Sequence, residues 1–101
     1  MKILIIEDDK NKLKQVTSFL RKIYINTEII ERYSYNSGIR ELLTGSRFDL
    51  LLLDMSMPTF DITSVESGGR PKPFAGKEIL RKIKKKRIQL PTIVITQFER
   101  F

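Results

Sequence analysis

Two groups of acidic residues in this chain each follow directly on a short apolar segment. The first segment leads into Glu7, Asp8 and Asp9, and the second, which contains four consecutive leucines, leads into Asp54. Both segments have the length and composition of buried strands. If these strands are parallel and adjacent, Glu7, Asp8 and Asp54 meet at the carboxyl edge of one sheet, where open parallel sheets build their sites. Acids crowded together repel each other, which favours a hard divalent cation among them.

Each group of acids also has a simpler interpretation. Acids at a helix N-terminus are common and mildly stabilising, so Glu7, Asp8 and Asp9 taken alone would predict only a capped helix. Asp54 taken alone could be a solvated residue at the start of a loop. The two groups together favour the metal site, because both follow apolar strands.

The elements that would position these acids alternate along the chain. The patterns predict strands at residues 2–6, 27–31, 48–53 and 92–96, and helices after Asp9, after Ser34 or Asn36, and over 77–86. Gly45 is expected to end the second helix. Strands that alternate with helices predict an α/β fold with a parallel sheet and right-handed crossovers. We interpret residues 1–101 as one domain, with an inserted loop at about 59–76 that is rich in Pro and Gly.

Composition excludes several kinds of chemistry. The chain of 101 residues has no Cys and no His, which rules out disulfides, thiol catalysis and imidazole bases. No segment approaches the roughly 20 apolar residues of a membrane helix, and the N-terminus lacks the pattern of a secretory signal. These observations predict a cytoplasmic protein that does not enter the membrane.

The net charge of +7 is concentrated in one segment. Residues 70–87 contain nine Lys or Arg and a single acid, Glu78. Such a run is either the solvated face of a helix or a surface for nucleic acid or an acidic partner. We favour the solvated face, and do not expect nucleic-acid binding, because no recognition helix or aromatic platform accompanies the run.

Three motifs together resemble the receiver domain of two-component response regulators. They are the segments 3–9, 54–58 and 91–96, which read Ile-Leu-Ile-Ile-Glu-Asp-Asp, Asp-Met-Ser-Met-Pro and Pro-Thr-Ile-Val-Ile-Thr. The resemblance covers nearly the whole chain. It implies a flavodoxin-like, CheY-like parallel sheet with helices on both faces, of which about four strands and three helices are present here.

The resemblance also implies roles for particular residues. Asp54 would be the phosphoacceptor, which takes a phosphoryl group from a histidine kinase or phosphotransfer protein. Glu7, Asp8, Asp54 and the backbone carbonyl of Ser56 would hold Mg²⁺, and Thr96 would be the switch hydroxyl. Such a domain is a signalling switch rather than an enzyme.

The chain departs from the family pattern in ways that keep other readings open. It ends before the position of the family's Lys, the 59–76 loop is long, and no last helix follows to cover Leu13, Leu20 or Ile23. We therefore expect a homodimer or a partner that covers the open sheet edge. The alternative function is a pseudo-receiver that acts as a phosphorylation-independent binding or dimerisation module. A Mg²⁺-dependent phosphatase-like hydrolase ranks last, because Ser56 stands where such enzymes carry a second Asp.

Overall fold

The computed structural model describes residues 1–44, 47–62 and 67–95. Their elements, in chain order, are β1 (Lys2–Ile6), α1 (Lys10–Ile23), β2 (Glu28–Arg32), α2 (Tyr35–Leu43), β3 (Leu50–Asp54), β4 (Met57–Pro58), β5 (Pro71–Lys72), α3 (Ala75–Lys85) and β6 (Thr92–Ile95).

The strands of the main sheet are all parallel. Among the described residues it has four strands in the order β2-β1-β3-β6. Ile6 pairs with Leu53, and Asp54 pairs with Ile95, so β1 and β3 end side by side. The chain order reverses between these two strands, and this switch point is where an open α/β sheet offers a crevice. The predicted α/β fold with a parallel sheet is confirmed.

Side chains alternate between the two faces of this sheet, and each face has its own helices. The face under α2 and α3 buries a cluster that consists of Leu4, Ile6, Leu42, Leu51, Leu53, Met57, Ala75, Ile79 and Ile83. The face under α1 buries a smaller cluster that consists of Ile3, Ile5, Leu13, Leu20 and Leu52. Each large side chain buried in this way contributes roughly 1.5–3 kcal/mol.

Two helices begin at side-chain caps. Asp9 Oδ1 accepts hydrogen bonds from the N–H groups of Asn11 and Lys12, at 3.0 and 3.2 Å. Ser34, and not Asn36, caps α2, because its Oγ accepts from the Ser37 N–H while the Ser37 hydroxyl accepts from the Ser34 N–H. These caps fix where α1 and α2 leave the carboxyl edge of the sheet.

Several predicted boundaries are wrong by one or two residues. The strand predicted over 27–31 is Glu28–Arg32, and the strand predicted over 48–53 is Leu50–Asp54, so Asp54 is the last residue of its strand. The helix predicted over 77–86 is Ala75–Lys85, so Gly76 lies inside the helix, where it packs directly on the end of β3. A Cβ at Gly76 would lie 2.6 Å from the Asp54 carbonyl oxygen. Gly45 and Thr96 lie outside the described residues.

The two ends of the segment predicted as a long loop pair with each other. Met57 and Pro58 pair with Lys72 and Pro71 as a short antiparallel ladder, β4–β5. The Asn36 N–H donates to the Thr59 carbonyl at 2.9 Å, which ties this ladder to the start of α2. The described residues at the two ends of this segment are therefore attached to the main sheet and α2 beside the carboxyl edge.

The α1 face is incompletely covered among the described residues. Of the three residues expected to be partly uncovered, Leu13 and Leu20 are buried because both pack on the sheet, whereas Ile23 is exposed as expected. Phe19 and Ile23 are 62% and 52% exposed, and with Ile93 they line an apolar groove of about 440 Å³. None of the helices in the described part of the chain has the length and apolar character to cross a bilayer.

Candidate functional site

The ends of β1 and β3 bring three carboxyl groups together. Glu7 and Asp8 follow β1 directly, and Asp54 ends β3. One carboxylate oxygen from each lies within 4.8 Å of the others. Sequence reasoning placed these residues at one edge of the sheet, and the parallel register of β1 and β3 brings them there. We call Glu7, Asp8 and Asp54 the acidic edge.

Glu7 is the most buried member of the acidic edge. It is 1% exposed, and its Oε1 accepts a hydrogen bond from the Asp9 N–H at 3.1 Å. Its Oε2 is buried and has no aligned hydrogen-bond donor among the described residues. Burial, and then the negative charge of Asp54, raise the pKa of Glu7 to about 7, against the stabilising effect of the Asp9 N–H and Lys12. A carboxylate held in this way is costly to ionise without a further cation.

Lys12 extends its ammonium group between two of these acids. Its Nζ lies 3.2 Å from Glu7 Oε2 and 3.3 Å from Asp54 Oδ1. The contact with Glu7 is an ion pair without hydrogen-bond alignment, whereas the contact with Asp54 is also a hydrogen bond. Burial lowers the pKa of Lys12, but hydrogen bonding and attraction to Glu7 and Asp54 outweigh burial and raise it. The ammonium group is thus held charged at the site.

Sequence reasoning missed Lys12, although a signal for it exists. The residue is the third of α1 and lies in its first turn. Side chains in a helix lean toward its N-terminus, so a long side chain in the first turn reaches back over the strand ends. A Lys three residues after the Asp9 cap is therefore placed to meet acids at the carboxyl edge.

The remaining two acids differ in exposure. Asp54 has a largely buried side chain, and its Oδ1 accepts from the Met55 N–H at 2.9 Å as well as from Lys12. Asp8 is exposed, yet partial desolvation of its carboxyl group, followed by the charges of Asp54 and Asp9, raises its pKa. The acidic edge thus has a buried inner side at Glu7 and an accessible outer side at Asp8.

A cavity opens from Asp8 toward the insertion. Its volume is about 460 Å³, and its lining includes Asp8, Ser56, Met57, Pro58, Pro71 and Lys72. Ser56, the predicted backbone ligand, is exposed at this cavity two residues beyond Asp54. Thr96, the predicted switch residue, lies outside the described residues, so the structure does not bear on its role.

The donor set suits a hard divalent cation. All three acids offer oxygen atoms, which Mg²⁺, Ca²⁺ and Mn²⁺ prefer to nitrogen or sulfur. With all three ionised, their charge exceeds the single positive charge of Lys12. The buried Glu7 Oε2 also lacks an aligned donor among the described residues. The acidic edge therefore has the charge for such an ion, and it has a buried ligand atom whose contact in this structure is the ion pair with Lys12.

The strand order and the acids at the switch point define a class: a flavodoxin-like α/β protein with its candidate site at the carboxyl edge. The family described as the response regulator receiver domain matches residues 3–100. The chain belongs to this family of signalling domains, as its sequence motifs predicted.

Individual relatives support this assignment. The chain is 32% identical over 102 residues to the "Detocs response regulatory protein DtcB" of Enterobacter cloacae strain JD6301, and it covers 68% of that protein. It is 25% identical over 103 residues to the uncharacterized protein y4jR of Sinorhizobium fredii strain NGR234, of which it covers 67%. In each case the match spans the whole of this chain and about two thirds of the relative.

One solved structure shares the fold. It is an aspartate-to-alanine mutant of the response regulator MaeR bound to sulfate, which superposes with a TM-score of 0.69 at 22% identity. The alignment covers 97% of this chain and 68% of MaeR. At this level of identity the likeness concerns the fold alone.

Proposed function

We propose that this receiver domain is a phosphoacceptor switch. Asp54 takes a phosphoryl group from the phosphohistidine of a histidine kinase or phosphotransfer protein, and the change alters the binding of a partner. The observation that carries the proposal is the meeting of Asp54 with Glu7 and Asp8 within 4.8 Å, in a chain of the receiver family. The cytoplasmic location expected from the sequence is part of this proposal.

The contacts of Asp54 assign roles to its two oxygens. The Met55 N–H and the Lys12 ammonium group both hold Oδ1. Oδ2, which neither contact uses, is the oxygen that we assign as the nucleophile. It forms a bond to phosphorus while the bond from phosphorus to the donor's imidazole nitrogen breaks. The leaving imidazole keeps the electron pair of that bond, and the product is an aspartyl phosphate.

The metal in this proposal is Mg²⁺, held by Glu7, Asp8, Asp54 and the backbone carbonyl of Ser56. When bound it would supply positive charge against the oxygens of the transferring phosphoryl group. Glu7 contributes a buried carboxylate and Asp8 an accessible one, which keeps the outer side open to the phosphodonor. Thr96 is assigned the switch hydroxyl on the resemblance to the family, and the phosphoryl group biases two arrangements of the surrounding loops.

Intact mass spectrometry tests the phosphoacceptor directly. The wild type, Asp54→Ala and Asp49→Ala are incubated with acetyl phosphate and Mg²⁺, and each is weighed before and after. Asp49 is the matched control, because it lies at the opposite edge of the sheet, where its carboxylate accepts from the Lys2 N–H at 2.7 Å. One added phosphoryl group is expected in the wild type and in Asp49→Ala, and none in Asp54→Ala. Equal gain in Asp54→Ala would disprove the assignment.

A second candidate function has one observation in its favour. Lys12 already pairs with Asp54, as expected of an acid retained for structure in a binding module that needs no phosphorylation. For that module, no phosphoryl group is gained by any of the three proteins, even when the histidine kinase partner replaces acetyl phosphate as the donor.

A further inference from the structure

The Lys12 ammonium group lies where a metal ion would need to bind. It contacts one oxygen of Glu7 and one of Asp54, at 3.2 and 3.3 Å, and both acids are proposed metal ligands. The three side chains are 16%, 2% and 14% exposed, so water screens these contacts weakly. Lys12 is the cation that neutralises the inner side of the acidic edge.

A divalent ion and this ammonium group need the same oxygens. Mg²⁺ binds carboxylate oxygens at about 2.1 Å and Lys12 Nζ lies 3.2 Å from Glu7 Oε2, so an ion on that oxygen would lie no more than about 5.3 Å from Nζ. Like charges at that distance in a partly buried site repel strongly. The two cations therefore exclude each other from Glu7 and Asp54, unless the lysine moves.

The lysine side chain is able to move. Its stem has four methylene groups with staggered rotamers, and its backbone is anchored in the first turn of α1. The Lys12 side chain is 16% exposed, and Asp8 beside it in the site is at the surface. The cost of leaving is the loss of the two ion contacts.

We propose that Lys12 is a built-in counter-ion that competes with the divalent cation for Glu7 and Asp54. The inference rests on the proposed function, which supplies the identity of the site. In the metal-free protein Lys12 holds the acids together, and when an ion binds the side chain is displaced. Lys12 thereby sets the divalent-ion concentration at which the acidic edge becomes loaded.

Calorimetric titration of the unphosphorylated chain with Mg²⁺, and separately with Mn²⁺, tests this competition. The proteins are the wild type, Lys12→Met, Lys12→Arg and Lys14→Met. Lys14 is the matched control, because it is an exposed lysine of the same helix and its replacement changes the net charge equally. Removing a competing cation is expected to lower the Kd of Lys12→Met about tenfold. Lys14→Met and Lys12→Arg are expected to stay within about twofold of the wild type.

The possible results separate the inference from the function beneath it. A Kd for Lys12→Met equal to or weaker than that of the wild type overturns the competition and leaves the metal site standing. A gain of equal size in Lys14→Met overturns it too, because general electrostatics would then suffice. If none of the proteins binds either ion, the metal site itself is wrong.

Loss of folding in one variant does not prevent the test. Circular dichroism establishes the fold of each protein before titration. Lys12→Gln keeps a polar side chain and replaces Lys12→Met if the latter is unfolded, with the same decrease in Kd expected. The Mg²⁺-dependent rise in Tm is an independent readout, and it should be larger in the Lys12 variant than in the wild type. An equal rise would contradict the proposal.

Discussion

The acidic edge and helix α3 are both strongly charged, but their charges lie in different surroundings. The acidic edge has three carboxyl groups within 4.8 Å, one of them 1% exposed. Helix α3 carries an exposed basic face that consists of Lys77, Arg81, Lys82, Lys84 and Lys85. Its opposite side buries Ile79 and Ile83 in the core. The charges on α3 diverge into water, whereas those of the acidic edge converge on one point.

This difference shows that convergence and burial, rather than the number of charges, mark a candidate site. The basic face is the solvated side of an amphipathic helix, with Lys82, Lys84 and Lys85 in the last turn, where cations complement the helix dipole. At the acidic edge, by contrast, burial raises the pKa of Glu7 and of Asp8, and perturbed pKa values are common at functional sites. Three sets of substitutions test how far the two regions differ.

The largest expected effect is a pH dependence of stability that arises from Glu7. Its folded pKa of about 7 lies above the unfolded value of 4.5, so folding favours the protonated form. This contribution is fully present below pH 4.5 and is lost as the pH rises to about 7. The free energy of unfolding should fall by about 3 kcal/mol over this pH range in EDTA. Glu7→Gln should remove this part of the slope of stability against pH.

Urea unfolding between pH 4 and 8 measures that slope. Glu78→Gln is the control on α3, because it makes the same chemical change on a side chain that is 45% exposed. It is expected to keep the wild-type slope. Identical slopes for the wild type and Glu7→Gln would show that the two regions do not differ in this respect.

A smaller effect is expected when one lysine is removed from each region. Lys12→Met leaves the buried Glu7 without its cation and should lower the free energy of unfolding by about 2 kcal/mol at pH 8 in EDTA. Lys82→Met removes the same charge from the exposed basic face and should cost less than about 0.5 kcal/mol. Chemical unfolding of both variants gives the comparison, and similar losses would contradict it.

The smallest effect concerns an ion pair at the border of the basic face. Lys72 Nζ lies 3.1 Å from Glu78 Oε2, and the two side chains are 31% and 45% exposed. Exposed pairs contribute little, so Glu78→Gln should lower stability at neutral pH by no more than about 0.5 kcal/mol. Unfolding measured in low and in high salt tests this. The stability difference between the wild type and Glu78→Gln should be smaller in high salt, since salt screens exposed charges. A larger loss of stability that persists in high salt would show that this ion pair behaves like the buried contacts of the acidic edge.

Sequence reasoning reached the acidic edge because strong and local signals define it. Four consecutive leucines predict a strand buried on both faces, and alternating helices require parallel strands. Parallel neighbours end at the same edge, so the convergence of Glu7 and Asp54 follows without knowledge of any side-chain position. The same rules give the fold class.

The features that sequence reasoning missed depend on finer geometry. The contacts of Lys12 require the rotational phase of α1 and the reach of one side chain. The strands β4 and β5 have two residues each, with a proline in both, so they show no alternating pattern to detect. The close approach of Gly76 to Asp54 is a tertiary contact, and the residue type alone does not reveal it.

The β4–β5 ladder affects how the length of the 59–76 segment can change. The β4–β5 ladder and the hydrogen bond from the Gly76 N–H to the Met55 carbonyl, 2.8 Å long, close the segment at its root. Residues added or removed between β4 and β5 change the length of a loop whose ends are already paired. Each doubling of the loop length costs only about 0.6 kcal/mol in closure entropy. Changes in the length of this segment are therefore expected to leave the backbone that carries Asp54 in place.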